Sequence, residues 1–281
     1  MNPFTLPDSL LESFLQDDNS FGDATTWGLD IGDVPGRLVC RARHAQVACC
    51  TEEAARMGQL RGLRTEGLIV ASGTPVVAGS TLLTLVGRAA ELHAVWKPAQ
   101  TLMEYAAGIA SATAELVAAA RRGNPQVAIA CTRKHIPGAK AMSVKAILAG
   151  GAVPHRLGLS ETLLVFAEHR IFLGSKASTE TVARLHRTWP ERQVVVEVGD
   201  IGEAALWVAA GADVIQLEKC SPETVAAVVR QAAVWPTRIA AAGGVNAANA
   251  EAYARAGAHI LVSSAPYAAP PRDVAVTLEP V

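Results

Sequence analysis

The chain has 281 residues, 50% of them hydrophobic and 18% charged, which is enough apolar material for one large core or two smaller ones and excludes a disordered chain. Its 25 Lys and Arg nearly balance 26 Asp and Glu, so no broad field draws it to nucleic acid or to an anionic membrane, and any cationic site must be a local cluster. Five cysteines without C-x-x-C spacing (Cys40, Cys49, Cys50, Cys131, Cys220), no leader pattern and no apolar run approaching roughly 18 residues read as a cytoplasmic protein with neither a zinc site nor a membrane span.

In chain order, Ser9-Leu10-Leu11-Glu12 has the form of a capping box, and Leu10, Leu11, Phe14 and Leu15 supply one apolar face of a short first helix. From Gly36 to Ala48, Arg37, Val39, Arg41 and Arg43 alternate loosely with Leu38, Cys40 and Ala42, the pattern of a half-buried strand, and Thr51 to Leu60 reads as a helix. Leu68 to Ala71 and Leu82 to Val86 are apolar pieces set apart by Gly73-Thr74-Pro75 and Ala78-Gly79, and are expected to be strands. Ala90 to Arg122 is Ala-rich and interrupted by Pro98 and Gly108, so two helices are expected there. The five tryptophans are dispersed, most in helix-like contexts that suggest core packing.

After that stretch, apolar strand candidates at 127–131, 163–166, 193–198, 213–217, 238–242 and 258–262 alternate with amphipathic helices. The expected architecture is α/β: an N-terminal α+β domain over 1–110, to which a proline-rich tail at 266–281 returns, followed by an open, reduced α/β barrel of about six strands over 111–265. An open doubly wound sheet is the alternative. In barrels the site lies at the C-terminal strand ends, which here carry Thr132-Arg133-Lys134, Glu168-His169, Glu197, Glu218-Lys219, Gly243-Gly244 and Ser263-Ser264.

Arg133, Lys134, His155 and Arg156 concentrate positive charge near one rim, which a polyanionic ligand would relieve; ordinary pairing with Glu161 and Glu168 is the competing explanation. Glu197 interrupts a valine run and Glu218 ends the next strand. Two such carboxylates suit Mg²⁺ or ribose hydroxyls, or else salt bridges to Lys219 and the cationic rim. Ala242-Gly243-Gly244 runs from a strand towards a helix, and with Ser263 and Ser264 after the final strand it has the form of a barrel phosphate site. Cys131 reads as packing, and His169 stays ambiguous.

Along essentially its whole length the chain resembles the quinolinate phosphoribosyltransferases, also called nicotinate-nucleotide pyrophosphorylases (carboxylating). Gly22-Asp23-Ala24-Thr25-Thr26, Gly108-Ile109-Ala110-Ser111, Thr132-Arg133-Lys134 with Pro137-Gly138, and His155-Arg156 with Gly158-Leu159 carry the resemblance. It implies that Arg133, His155 and Arg156 meet an acid substrate, Lys134 the phosphoribosyl pyrophosphate, Glu197 and Glu218 the Mg²⁺ and ribose, and Ala242, Gly243, Gly244 and Ser264 the phosphate. It further implies a homodimer with shared sites, across which Lys97 would reach. The chain differs from the family's pattern at Trp96-Lys97, in place of Glu-Arg, and at Phe166-Ala167-Glu168-His169, in place of Lys-Asp-Asn-His. Phe166 thus stands where a substrate-carboxylate lysine is expected, and Glu218 stands in place of Asp. These features, and His155 through Thr162, look most like the ModD branch, pyrophosphorylase-like proteins associated with molybdenum transport.

The expected activity is Mg²⁺-dependent transfer of phosphoribosyl from its pyrophosphate to an anionic nitrogen-containing acceptor. Two alternatives stand beside it: true quinolinate phosphoribosyltransferase activity, making nicotinate mononucleotide, and a non-catalytic phosphate-ligand-binding protein linked to molybdenum transport.

Overall fold

The structure, a computed structural model, describes residues 4–174 and 177–281. In chain order it has helices α1 (Asp8–Asn19) and α2 (Ala24–Gly28), strands β1 (Pro35–Ala42) and β2 (Gln46–Val47), helix α3 (Thr51–Leu60), strands β3 (Arg64–Thr65), β4 (Pro75–Val76) and β5 (Thr81–Arg88), and the long helix α4 (Ala89–Gly123). Then come β6 (Ala128–Cys131), α5 (Lys140–Ala149), β7 (Val153–Pro154), β8 (Leu163–Val165), α6 (Ala167–Arg170), α7 (Ser178–Thr188), β9 (Val194–Val198), α8 (Ile201–Ala209), β10 (Val214–Glu218), α9 (Pro222–Ala232), β11 (Arg238–Ala242), α10 (Ala250–Arg255), β12 (Ile260–Ser263) and β13 (Val274–Pro280). The chain divides into two compact units. One is the chain up to Ala114 with Ile136–Gly151 and Pro266–Val281; the other is Glu115–His135 with Ala152–Ala265.

The first unit is built on an antiparallel sheet of order β13-β1-β5-β3. Strand β1 sits between β13 and β5, with Leu38, Cys40 and Ala42 buried and Arg37 and Arg41 half-buried as the alternation predicts, but Val39 is buried too and the strand stops at Ala42, short of Ala48. Strand β13 closes one edge of this sheet with the last residues of the chain. Leu68 to Ala71 form no strand; the short strands β3 and β4 lie on either side of them. The capping box at Ser9 does not form either. Helix α1 begins at Asp8 behind Pro7, and Glu12 accepts two hydrogen bonds from Arg61 at 2.8 Å, while Asp8 pairs with Arg56. Both carboxylates are spent on tying α1 to α3 instead of on the helix's own amides.

Pro98 does not divide α4, which runs unbroken for 35 residues. Proline inside a helix removes one backbone hydrogen bond and costs about 3 kcal/mol. Burial of Val95, Ala99, Leu102, Met103, Ala106 and Ala107 around it offsets that cost. Gly108 serves close packing: a Cβ there would stand 2.3 Å from the carbonyl oxygen of Pro270. Although α4 is long, no helix among the described residues is both long and apolar enough to cross a membrane.

The second unit holds a seven-stranded parallel sheet of order β7-β6-β12-β11-β10-β9-β8, open because β7 and β8 lie at opposite edges. The six strands expected from the apolar runs are all present, and the two-residue β7 adds a seventh. The helices between them start on local signals: Asp200 caps α8 by accepting the Glu203 amide at 2.8 Å, and Ser221 with Pro222 opens α9. The tryptophans are mostly not core. Only Trp207 is fully buried, whereas Trp27 is 86% exposed and Trp189 and Trp235 are each 46% exposed. All five cysteines are free and buried.

Candidate active site

The parallel sheet builds the site by its two-residue period. Ala130, Leu164, Val195, Val214, Ala240 and Val262, one from each long strand, form a buried cluster with Ala242. Side chains two residues further along a strand share its face. Moving two residues beyond each of these positions reaches Thr132, Phe166, Glu197, Gln216, Ala242 and Ser264, and two beyond Gln216 and Ala242 lie Glu218 and Gly244. All of them line one cavity of about 700 Å³ at the C-terminal strand ends, which suits a ligand of nucleotide size. Arg133, Lys134, His155, Arg156, Glu168, Gly243, Asn246 and Ser263 also line it.

Lys97 and His169 do not line it. The Lys97 ammonium lies in the other unit, 4.6 Å from the centre of the Trp96 ring, and donates to Gln100. His169 stacks on Phe166 with ring centres 5.7 Å apart, and its Nδ1 accepts the Phe166 amide at 3.0 Å. Phe166 therefore has a fixed backing, and on its other contact the Arg156 guanidinium lies 5.5 Å from its ring centre.

The cations on the rim act on one another. Burial, then the charges of Arg156 and Arg133, lower the pKa of His155 from its ordinary value, which favours the neutral imidazole. Burial and Arg133 also lower the pKa of Arg156, against a smaller opposing pull from Glu161. The carboxylates crowd as well. Burial raises the pKa of Glu197, Glu218 and Glu168 raise it further, and Gln216 and Lys134 hold it back. A lining that gathers Arg133, Lys134 and Arg156 with Glu168, Glu197 and Glu218 is the electrostatic form of a site that takes an anion and a cation together.

Gln216 escaped the sequence reading. It is 4% exposed, pairs in register with Glu197 across β9 and β10, and donates from Nε2 to Glu197 Oε2 at 2.7 Å. Its carbonyl oxygen is buried with no protein partner among the described residues. The signal was available: Gln216 interrupts an apolar strand as Glu197 does, two residues before Glu218. Cys131 lies at the end of β6, where burial pushes its thiol up to about 12, so it is inert as a nucleophile.

The glycine turn after β11 has φ of +81° at Gly243 and +88° at Gly244. A Cβ on Gly243 would stand 2.7 Å from both the Lys219 amide nitrogen and Glu218 Oε1, so only glycine lets this turn approach β10. Helix α10 begins at Ala250 rather than at the turn itself; Asn246 and Asn249 fill the gap, both donating to the Gly244 carbonyl. Ser263 Oγ is committed to the Val245 carbonyl at 2.6 Å and holds the turn from beneath, while Ser264 is part-exposed on the cavity wall.

With this geometry stand two family matches. The family model "Quinolinate phosphoribosyl transferase, C-terminal domain" matches residues 109–277, and its N-terminal counterpart matches residues 23–107. The chain belongs to the quinolinate phosphoribosyl transferase family. As a member it is a pentosyltransferase, an enzyme that moves phosphoribosyl groups. It is similar to proteins named ModD: it is 47% identical to the pyrophosphorylase ModD of Rhodobacter capsulatus over 90% of this chain and 98% of that one. It is 35% identical to the ModD of Pasteurella multocida over 97% of each chain. The crystal structure of NadC from Streptococcus pyogenes shares the fold at a TM-score of 0.90, 22% identical over 98% of this chain and 96% of that one.

Proposed function

We propose that this family member transfers phosphoribosyl from phosphoribosyl pyrophosphate to an anionic, nitrogen-containing acceptor and releases pyrophosphate. The acceptor nitrogen's lone pair forms the bond to the anomeric carbon, and the bond from that carbon to the pyrophosphate oxygen breaks with its electron pair leaving on pyrophosphate. The observation that carries this reading is one cavity lined at the strand ends by cations, by carboxylates and by the glycine turn after β11. Arg133, Arg156 and His155 would hold the acceptor's acid group, fixing its nitrogen towards the ribose. Lys134 and the amides of Gly243 and Gly244, beside Ser264, would hold phosphate oxygens, since the glycine turn lets a ligand approach its backbone closely.

Among the described residues no group of three or more His, Cys, Asp or Glu could hold a metal ion. Mg²⁺ needs no such group, since one or two carboxylates and the substrate's phosphates are its usual ligands. Glu197 and Glu218 fit that pattern, because their mutual repulsion leaves negative charge that a hard cation would neutralise. When bound there, Mg²⁺ would stabilise charge on the departing pyrophosphate. The same reading makes the protein a homodimer in which Lys97 serves the partner's cavity.

The test is calorimetric titration of the whole chain with phosphoribosyl pyrophosphate and Mg²⁺, followed by addition of pyridine carboxylates and measurement of pyrophosphate release. Binding with release that stops when Mg²⁺ is chelated is expected. Binding without release under any acceptor would favour the non-catalytic reading and sink this one.

Gln216 yields a separate expectation. Gln216→Met removes the donor that opposes the rise in the Glu197 pKa, so the carboxylate ionises at higher pH. The acid limb of the pH–rate profile should move upward and kcat/KM at pH 7 should fall about tenfold to a hundredfold, the worth of a hydrogen bond to a charged group. An unmoved acid limb would remove Gln216 from this role.

A further inference from the structure

The parallel sheet is open between β7 and β8, its two edge strands, and no ladder joins them. Arg156 and Phe166 stand just beyond the C-terminal ends of these strands, since β7 stops at Pro154 and β8 at Val165. Their side chains nevertheless meet. The guanidinium carbon lies 5.5 Å from the ring centre, within the range of a cation–π contact, so a side-chain contact crosses an opening that the sheet itself leaves unpaired.

Little else holds Arg156. The His155 amide ties the chain to β6 by donating to the Cys131 carbonyl at 2.8 Å, one residue earlier. Glu161, a carboxylate that residue order offers as a partner, accepts the Leu157 amide, and among the described residues the Arg156 side chain makes neither a hydrogen bond nor an ion pair. A long side chain left to its rotamers points its donors in no fixed direction. The Phe166 ring, by contrast, is fixed. It packs against the apolar cluster, His169 stacks on it with 15° between planes, and the bond from its own amide to His169 Nδ1 at 3.0 Å holds that stack. Support therefore runs from His169 to Phe166 to Arg156, and the last two line the cavity. Contact with a ring spends none of the guanidinium's hydrogen bonds on an oxygen, so its N–H donors remain for an anion.

We propose that Phe166 is a positioning residue: braced by His169, its ring holds the Arg156 guanidinium across the opening of the sheet, where it meets the acid group of the acceptor. The word acceptor rests on the transferase reading above, but positioning is a property of binding and is measured without turnover. The probe is pyridine-3-carboxylate, titrated into the whole chain with Mg²⁺ and inorganic pyrophosphate present, so that no transfer can occur. Phe166→Leu, which stays apolar but removes the ring face, is expected to raise the Kd about threefold to tenfold, whereas Phe166→Tyr, which keeps that face, should stay within about twofold. Arg156→Gln should raise the Kd about tenfold or more, and adding Phe166→Leu to it should raise it by no more than about a further twofold, because no guanidinium is left to hold. His169→Ala, at an exposed position, should raise the Kd about twofold to threefold and have no effect beside Arg156→Gln; it carries the test if Phe166→Leu does not fold. Equal losses from Phe166→Leu with and without Arg156 would mean that the ring touches the ligand directly, and would overturn the proposal. So would Phe166→Tyr as weak as Phe166→Leu, a folded Phe166→Leu or a His169→Ala no weaker than the unaltered chain, or no binding of the probe by the unaltered chain. The expected pattern with no pyrophosphate release from phosphoribosyl pyrophosphate under any acceptor would instead overturn the transferase reading and leave the positioning role standing.

Discussion

Arg133→Ala is expected to abolish measurable pyrophosphate release while leaving the fold intact. Arg133 is exposed at the end of β6 and lines the cavity, and its charge is felt by both His155 and Arg156. An exposed side chain contributes little to folding, so the thermal midpoint should stay within a few degrees. Its loss from a site organised around anions is different. Preorganised donors to developing or bound negative charge are worth about 10²–10³ in rate each, and here the same residue would also orient the acceptor, so kcat/KM should fall by at least that factor. Arg133→Lys should recover part of the loss, since it keeps the charge but not the planar two-pronged donor. An alanine variant with full activity would show that the acid group binds elsewhere.

The largest effect on stability is expected at Lys145, which does not line the cavity. Lys145 is 1% exposed on α5, and its ammonium lies 2.6 Å from both carboxylate oxygens of Glu53 and 3.5 Å from Glu52 on α3. Glu53 is itself 2% exposed and accepts the Leu6 amide at 3.2 Å. Burial pulls the Lys145 pKa down, but hydrogen bonding to Glu53 and the charges of Glu53 and Glu52 outweigh it and hold the pKa above 10.5. Because the folded value lies above the unfolded one, the stabilisation is fully present below about pH 10.4 and is lost as pH rises through the folded value. Lys145→Met strands a buried carboxylate, a change that costs about 3–5 kcal/mol. The denaturation midpoint should drop accordingly. Lys145→Met combined with Glu53→Gln should recover much of the loss, because no unpaired charge is then left inside. A single variant as stable as the unaltered chain would mean that water reaches the pair.

Much of this was readable from residue order, for a definite reason. Strand position follows local periodicity, and the apolar runs at 127–131, 163–166, 193–198, 213–217, 238–242 and 258–262 appear as the six long strands of the parallel sheet. The same two-residue period carries each strand from its apolar cluster residue to a polar or aromatic one at the cavity, so the placing of Thr132, Phe166, Glu197, Glu218 and Ser264 together is a consequence of register. The helix at Thr51–Leu60 and the alternation in β1 are local in the same sense.

Other features were decided only by distant partners. Pro98 would end a helix left to itself, and α4 continues through it because its buried face supplies more than the missing hydrogen bond takes away. Glu12 left its capping box for Arg61, a residue that sequence distance hides. The tryptophans, apolar by composition, remain largely exposed because a large ring can sit at a surface with its polar edge in water. His169 turned out to brace Phe166 instead of facing the cavity, and Gln216 gained a role only when strand pairing set it beside Glu197. Sequence alone determined where the strands run and which residues stand at their ends, because those depend on spacing along one chain. Tertiary structure decided which of those ends share a wall, which side chains brace others, and which charges are left without a partner, because each of these depends on residues brought together from far apart.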